Sequence, residues 1–198
     1  MGSSGQEGCL LQIVDLDSHD EQRIAEVATL LVEGFREQAP EAWPTMESAL
    51  TEVRESFSPE RVSRVAIDDD GAVVGWIGAI SQYRGRVWEL HPLVVAPAFQ
   101  RQGIGRALVA DLEACLRARG CQTVWLGTDD EAGQTSLANV DLYDDLPGRL
   151  ASVRNLAGHP FEFYQRLGFT IVGVMPDANG IGKPDIFMAK RIAADATG

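Results

Sequence analysis

Residues 88–108 read WELHPLVVAPAFQRQGIGRAL, and the fold is decided by this stretch. The apolar run at 90–95, closed by Pro97, has the length and composition of a buried β-strand. Residues 100–105 then form a turn that carries two glycines, and residues 106–116 space their apolar side chains as a helix does. The sequence therefore predicts a strand, a glycine turn and a helix in direct succession.

This succession is typical of a site for a phosphorylated ligand. A helix N-terminus presents N–H groups that lack intrahelical acceptors, and its dipole favours negative charge. Gly103 and Gly105 would let a ligand approach the backbone closely. The G-x-G-x-x-G spacing of dinucleotide sites is absent, and so is the G-K-[S/T] of nucleoside-triphosphate loops. A tight strand-to-helix turn without a ligand is the structural alternative.

The composition is that of a globular protein. The chain has 198 residues, of which 45% are hydrophobic, enough for the core of one domain. We expect residues 9–198 to form that domain and residues 1–8 to be a disordered terminus or an expression-tag remnant. Apolar runs stay well short of the roughly 18 residues that span a bilayer, so we expect no membrane partner.

Charge and cysteine content narrow the function further. A net charge of −12 argues against a nucleic-acid partner and fits a cationic substrate, although it also serves solubility. Cys9, Cys115 and Cys121 are odd in number and lack paired metal-ligand spacing. We therefore expect free thiols in a reducing cytoplasm and no metal site.

The rest of the chain alternates strand and helix signals. Asp17 or Ser18 is positioned to cap a first helix, and residues 127–157 form an unusually long polar connection. Strands are predicted at 12–14, 62–67, 72–80, 123–126, 169–174 and 184–190, and further helices at 46–57 and 161–167. This order predicts an α/β fold with a mixed sheet.

The pattern resembles the GNAT family of acetyl-CoA-dependent N-acetyltransferases. The resemblance lies in the strand at 93–95, Pro97, the turn and helix start at 100–108, and the FYQRLGF block at 163–169. It implies a GNAT fold, in which a mixed central β-sheet is splayed at the acetyl-CoA site and carries helices on both faces.

The resemblance also implies acetyl-CoA as co-substrate. Backbone N–H groups of the glycine turn would hold the pyrophosphate, and amides of the splayed strand would hold the pantetheine arm. The residues implied to bind acetyl-CoA are Leu93, Val94, Val95, Gln100, Arg101, Gln102, Gly103, Ile104, Gly105, Arg106 and Tyr164.

A narrower resemblance is to the aminoglycoside 6'-N-acetyltransferases, especially the enterococcal chromosomal type. It is carried by four separated blocks in order, at 88–93, 126–130, 159–164 and 179–186. It implies acetyl transfer to the 6'-amine of aminoglycoside antibiotics, a homodimer, a cytoplasmic location and a resistance function.

Three residues are candidates for the chemistry. An amine is mostly protonated at pH 7 and must lose a proton before it attacks a thioester, and Glu89 is placed to accept that proton. His91, two residues on, points to the same side of the strand. Tyr164 could protonate the departing thiolate, and the N–H of Leu93 or Val95 could bind the thioester oxygen. The alternative for Glu89 is an exposed acid at a strand end. The alternative for His91 is a packed imidazole, and that for Tyr164 is a core tyrosine.

Carboxylates are expected around the substrate, because each charge-assisted hydrogen bond to an ammonium group adds affinity. Asp129 and Asp130 are the best candidates, followed by Asp185 and Glu41, although each could be a solvated surface charge. Stacking on sugar rings is expected from Trp43 and Tyr83.

Two other functions remain open at this stage. One is a GNAT enzyme for a polyamine, peptide or protein amine, which the negative charge also allows. The other is a protein that binds a cationic drug, or senses coenzyme A, without turnover. No cysteine lies in the motif, so direct transfer is favoured over a covalent acyl-enzyme.

Overall fold

The structure is a computed structural model that describes residues 11–37 and 39–193. The predicted terminus at 1–8 and Cys9 lie outside the described residues. The strands are β1 Gln12–Asp15, β2 Arg61–Ile67, β3 Val73–Gln82, β4 Val87–Val95, β5 Thr123–Asp129, β6 Thr170–Met175 and β7 Asp185–Arg191, and the α-helices are α1 Glu21–Phe35, α2 Met46–Glu55, α3 Ile104–Ala118, α4 Leu146–Ala151 and α5 Phe161–Arg166.

The strands form one open, seven-stranded mixed sheet in the order β1-β2-β3-β4-β5-β7-β6. Helices cover both of its faces, as predicted. On one face Trp76 of β3 is buried in a cluster with Leu31 of α1 and Val53 of α2. On the other face Ile77, the next residue, is buried in a second cluster with Leu108 of α3. The sheet therefore separates two cores.

The sheet splits between its central strands. β4 and β5 run parallel and pair over only three positions, from Val87↔Thr123 to Glu89↔Trp125. Beyond that point β4 continues to Val95 and β5 to Asp129 without pairing to each other. A gap therefore opens between the C-terminal halves of the two strands, which is the splay that the sequence predicted.

A bulge in β4 lies at the start of this gap. Ala79 pairs with Leu90 and Ile77 pairs with Leu93, so two residues of β4 lie opposite the single residue Gly78. Because of the extra residue, alternate side chains of β4 that face one core before the bulge face the other core after it. Leu90 lies in the α3 core before the bulge, whereas Val94 lies in the α1 core after it.

One local prediction needs correction. Asp17 and Ser18 do not cap the first helix; Asp20 does, because its carboxylate accepts the Arg23 N–H at 3.0 Å. The long connection predicted at 127–157 contains the end of β5 and the short helix α4.

Two further observations concern membranes and metals. Within residues 11–37 and 39–193, no helix is long and apolar enough to cross a bilayer. Over the same residues, His, Cys, Asp and Glu side chains do not gather in threes at a spacing that could hold a metal ion.

We predict that Gly78→Ala disrupts this fork in the sheet. A Cβ atom at residue 78 would collide with the carbonyl oxygen of His91, which is backbone and cannot swing away. We expect a loss of at least about 2 kcal/mol in the free energy of unfolding, measured by urea titration.

Gly173→Ala is the matched control, because a Cβ on this other strand glycine would meet only Phe187 at an ordinary 3.8 Å. Equal losses in the two variants would contradict a specific role for the bulge.

Candidate active site

One face of the sheet stays open beside the gap. Along β5, Val124 and Leu126 are buried beneath α3, whereas Trp125 is half-buried and Gly127 and Asp129 are exposed on the opposite face. Helices α1 and α2 pack against this same face only further along, over β2, β3 and β4. The exposed strip is thus the floor of a cleft whose wall is the α1–α2 layer.

Three carboxylates gather on this floor, and we call Glu89, Asp129 and Asp185 the acidic cleft. Asp129 and Asp185 are paired residues of β5 and β7. The carboxylate of Asp185 lies over Gly127, where the missing side chain leaves room for it. Asp129 accepts a hydrogen bond from the Asn179 amide.

Among the described residues, Asp185 has no ion pair with a basic side chain. Its pKa is raised to about 6, chiefly by burial and also by the nearby charges of Asp129 and Glu89, while a hydrogen bond from the backbone of Thr128 acts in the opposite direction. Its Oδ1 atom is buried without a hydrogen-bond partner among the described residues. A bound ammonium group would relieve both the repulsion and the unmet acceptor.

Glu89 is half-buried at the last residue pair before the gap. Its Oε2 atom accepts a hydrogen bond of 2.8 Å from Gln82 Nε2. His91 lies on the same side, with its ring 5.8 Å from that of Trp43 and its Nε2 3.9 Å from Glu52 Oε1. Glu89 is thus a hydrogen-bonded carboxylate beside the gap, and its role as the base stays a prediction.

The structure differs from the prediction at Asp130. This residue is only 1% exposed, and its two carboxylate oxygens accept the N–H groups of Gln134 and Thr135 at 2.6 and 2.8 Å. Asp130 therefore shapes the loop after β5, and its carboxylate is not available to a substrate. Adjacent strand residues point to opposite faces, so only one of the two neighbouring aspartates could reach the cleft.

The aromatic candidates lie at different depths. Trp43 is half-buried, packed edge-on against Phe35 at 4.7 Å and tilted towards His91. Tyr83 is 75% exposed on the turn after β3. Glu41 is exposed in the segment before Trp43. Contacts of Trp43, Tyr83 and Glu41 with a substrate stay predictions.

The edge of β4 presents two amides to the gap. The Ala96 N–H donates to Val74 of β3 at 2.9 Å. Amides alternate in direction along an antiparallel strand, so Val94 also faces β3. The N–H groups of Leu93 and Val95 then point the other way, into the gap that β5 has left. They are the donors available to a ligand between the strands.

The glycine turn closes one end of the gap. Gly103 caps α3 with φ +90°, and the first helical hydrogen bond runs from Ala107 to its carbonyl at 3.0 Å. The N–H groups of residues 104–106 therefore precede the helical ladder and are open to an anion. Arg101 and Arg106 are exposed beside them.

Four other residues of the turn serve the protein itself. Gln100 and Gln102 donate their side-chain amides to the carbonyls of Val95 and Ala98. Ile104 is buried, and the space over Gly105 is filled by the Phe163 ring, 3.3 Å from where a Cβ would lie. The space over Gly105 is thus occupied by the protein itself, and ligand binding at these four positions stays a prediction.

Helix α5 brings Tyr164 to the same region through Phe163. Tyr164 packs edge-on against Phe163 and Phe169 at 5.0 and 5.7 Å. Burial raises the pKa of Tyr164, so its hydroxyl stays protonated at neutral pH. Tyr164 and Glu89 lie on different elements, and their roles as acid and base stay predictions.

His159 joins the two sides of this site. Its Nδ1 accepts the Phe161 N–H at 3.2 Å, so Nε2 carries the proton that is donated to the Asp129 carbonyl at 3.1 Å. Burial lowers the pKa of His159 and favours this neutral form. The end of β5 is thereby fixed to the start of α5.

Comparison with known proteins agrees with this geometry. The family model for the acetyltransferase (GNAT) family matches residues 25–143, more than half of the chain. The chain belongs to the GNAT family. As a GNAT acetyltransferase it uses acetyl-CoA, which fits the open amides of the gap and the glycine turn.

Solved structures of aminoglycoside 6'-N-acetyltransferases are similar over nearly the whole enzyme. The one from Enterococcus faecium is 42% identical, with a TM-score of 0.83, over 92% of this chain and 98% of that chain. A second, complexed with coenzyme A, is 41% identical with a TM-score of 0.84 and the same coverage.

A more distant curated relative acts on a protein amine. The [ribosomal protein bS18]-alanine N-acetyltransferase of Escherichia coli (strain K12) is 31% identical over 118 residues, which are 60% of this chain and 73% of the relative.

We predict that Asp185→Asn stabilises this GNAT enzyme at neutral pH. A carboxyl pKa raised from 3.8 to about 6 means that the folded protein holds the proton more tightly than the unfolded chain does. The free energy of unfolding therefore falls as pH rises from 4 to 6. The asparagine amide does not titrate in this range, so the variant avoids this fall. After allowance for solvent screening, we expect a gain of about 1–2 kcal/mol at pH 7.5, shrinking towards zero near pH 4.

Urea unfolding at both pH values measures this difference. The exposed Asp70→Asn variant, whose residue lies on the turn before β3, is the control and should show no such pH dependence. A pH-independent effect of Asp185→Asn would contradict the assignment.

Proposed function

We propose that this GNAT enzyme transfers an acetyl group from acetyl-CoA to the 6'-amine of aminoglycoside antibiotics and so confers resistance to them. The observation that carries the proposal is the acidic cleft, in which a base candidate and two further carboxylates surround a place for a polycation. The similarity to enzymes of this activity, at about 40% identity and over 92% of the chain, supports the same substrate class.

The proposed reaction is a direct attack in one complex. The ammonium group loses its proton to Glu89, directly or through one water, and the free amine attacks the thioester carbonyl. The N–H groups of Leu93 and Val95 are the candidates to bind the oxygen as it becomes negative. A C–N bond forms, the C–S bond breaks, and the sulfur leaves as a thiolate that Tyr164 protonates. The nitrogen sheds its second proton as it becomes an amide, and that proton returns the Tyr164 phenolate to its neutral form through solvent.

Recognition of the drug would depend on its remaining ammonium groups. Asp129 and Asp185 lie side by side on the cleft floor, so each can accept charge-assisted hydrogen bonds from a separate amine. Trp43 lies against His91 at the wall, where its ring can stack on a sugar face. His91 would then line the site as a packed imidazole, secondary to Glu89.

Three further features belong to the same proposal. We propose that residues 9–198 form a single domain, that the enzyme is a homodimer, and that it works in the cytoplasm. The resemblance of its motifs to the aminoglycoside enzymes supports all three.

A substrate panel tests the proposed function. Free coenzyme A release is measured with kanamycin, tobramycin and neomycin, with an aminoglycoside that has a 6'-hydroxyl, and with spermidine and an alanine-initiated peptide. We expect rapid release with the 6'-amine drugs and little with the 6'-hydroxyl drug, because only the amine can be acetylated at that position.

The peptide is included because of the relative that acts on ribosomal protein alanine. Release only with spermidine or peptide would keep the acetyl-transfer chemistry and reject the drug substrate. Binding of drug without any release would favour a binding protein.

We predict that Glu89→Gln lowers kcat at pH 7 by about 10²–10⁴-fold, because the amide cannot accept the amine proton. The KM for acetyl-CoA should change little, since the proposed coenzyme contacts lie at β4 amides and the glycine turn. Steady-state kinetics measure both, with the exposed Glu33→Gln of α1 as control. An unchanged kcat in Glu89→Gln would remove Glu89 as the base.

A further inference from the structure

We infer that Gln82 and Trp125 are positioning residues for Glu89. The Trp125 indole N–H fixes the orientation of the Gln82 amide, and that amide holds the Glu89 carboxylate in one orientation, aimed at the amine. Trp125 Nε1 donates to Gln82 Oε1 at 3.1 Å, and Gln82 Nε2 donates to Glu89 Oε2 at 2.8 Å. The inference rests on the proposed role of Glu89 as base.

The orientation of the Gln82 amide follows from its two partners. An indole N–H can only donate a hydrogen bond, and an ionised carboxylate can only accept one. The amide oxygen must therefore face Trp125, and its NH₂ group must face Glu89. The reverse orientation would set two donors against each other and place the amide oxygen against a carboxylate oxygen. Trp125 thus selects the one useful orientation.

Sheet register explains why these three side chains meet. Gln82 of β3 pairs with Val87 of β4, and Glu89 pairs with Trp125 of β5, so all three side chains project from the same face. The Glu89↔Trp125 pair is the last before β4 and β5 separate. Trp125 is itself held edge-on against Phe187 of β7 at 5.8 Å. We call the hydrogen-bonded set of Trp125, Gln82 and Glu89 the relay. It lies where β4 and β5 separate.

Neighbouring charges make such a donor necessary. Asp185 of β7 interacts electrostatically with Glu89, and Asp129 at the end of β5 interacts with Asp185. His91, on the same strand as Glu89, faces Glu52 of α2 rather than the relay. Carboxylates that repel one another need a neighbouring donor to hold one of them in a fixed orientation, and Gln82 donates that hydrogen bond to Glu89.

Gln82→Met and Trp125→Phe test the relay separately. Methionine keeps the length of Gln82 and removes both amide groups, whereas phenylalanine keeps an aromatic ring against Phe187 and removes only the N–H. Two readouts are followed against pH: kcat/KM for the amine, and the ¹³C carboxyl resonance of Glu89 in the free enzyme.

We expect Gln82→Met to move the acid limb of kcat/KM, and the midpoint of the carboxyl titration, upwards by about 1 pH unit. Trp125→Phe should move both in the same direction by less, because the amide is then free to turn. The double variant should move no further than Gln82→Met, because Trp125 acts only through the amide.

Trp88→Phe is the matched control. It also removes one indole hydrogen bond, to the Gly85 carbonyl, but Trp88 faces the α3 core on the other side of β4. It should lower stability and leave the pH profile in place. If Gln82 and Trp125 had a purely structural role, Gln82→Met and Trp125→Phe would behave like Trp88→Phe: each would lower stability and leave the pH profile in place. That result would overturn the inference.

Two results would contradict the relay specifically: an unchanged carboxyl titration in Gln82→Met, or an undiminished effect of Trp125→Phe in the Gln82→Met background. If Gln82→Met fails to fold, Trp125→Phe carries the test alone. The titration needs no turnover, so failure to acetylate aminoglycosides would reject the proposed function while the relay is still tested.

Discussion

The structure depends on the short pairing between β4 and β5. Only three residue pairs join these parallel strands, and the groups proposed for acetyl transfer lie around the point where they separate. A fully paired strand would use the N–H groups of Leu93 and Val95 in the sheet. Because β5 no longer pairs with β4 there, those donors face the gap, and the sheet stays joined before it through the Glu89↔Trp125 pair.

The separation of β4 and β5 also places different parts of the candidate site on the two faces of the sheet. The glycine turn, α3 and α5 lie on one side with Tyr164, whereas the acidic cleft lies on the other with Glu89. The proposed base and the proposed acid are thereby carried by different elements. The bulge opposite Gly78 makes this possible, since it lets one strand present Glu89 to the cleft and later bury Val94 under α1.

Much of this arrangement could be predicted from the sequence, because its signals are local. The run at 90–95, Gly103 and the helical spacing after it define the proposed acetyl-CoA side within one continuous stretch of chain, residues 90–116. Contacts that cross strands could not be predicted, because they depend on register. No sequence motif marks Gln82 and Trp125 as partners of Glu89. The Thr-Asp-Asp sequence likewise does not show that Asp130 accepts hydrogen bonds from backbone N–H groups while Asp129 is exposed.

The most direct test of this account is a crystal structure of the enzyme with coenzyme A and kanamycin. The account predicts the pantetheine arm between β4 and β5, accepting hydrogen bonds from Leu93 or Val95. It also predicts the drug's 6'-nitrogen within hydrogen-bond reach of Glu89, or one water away, with other ammonium groups on Asp129 and Asp185. A drug bound on the α3 side of the sheet, or with its 6'-nitrogen remote from Glu89, would contradict it.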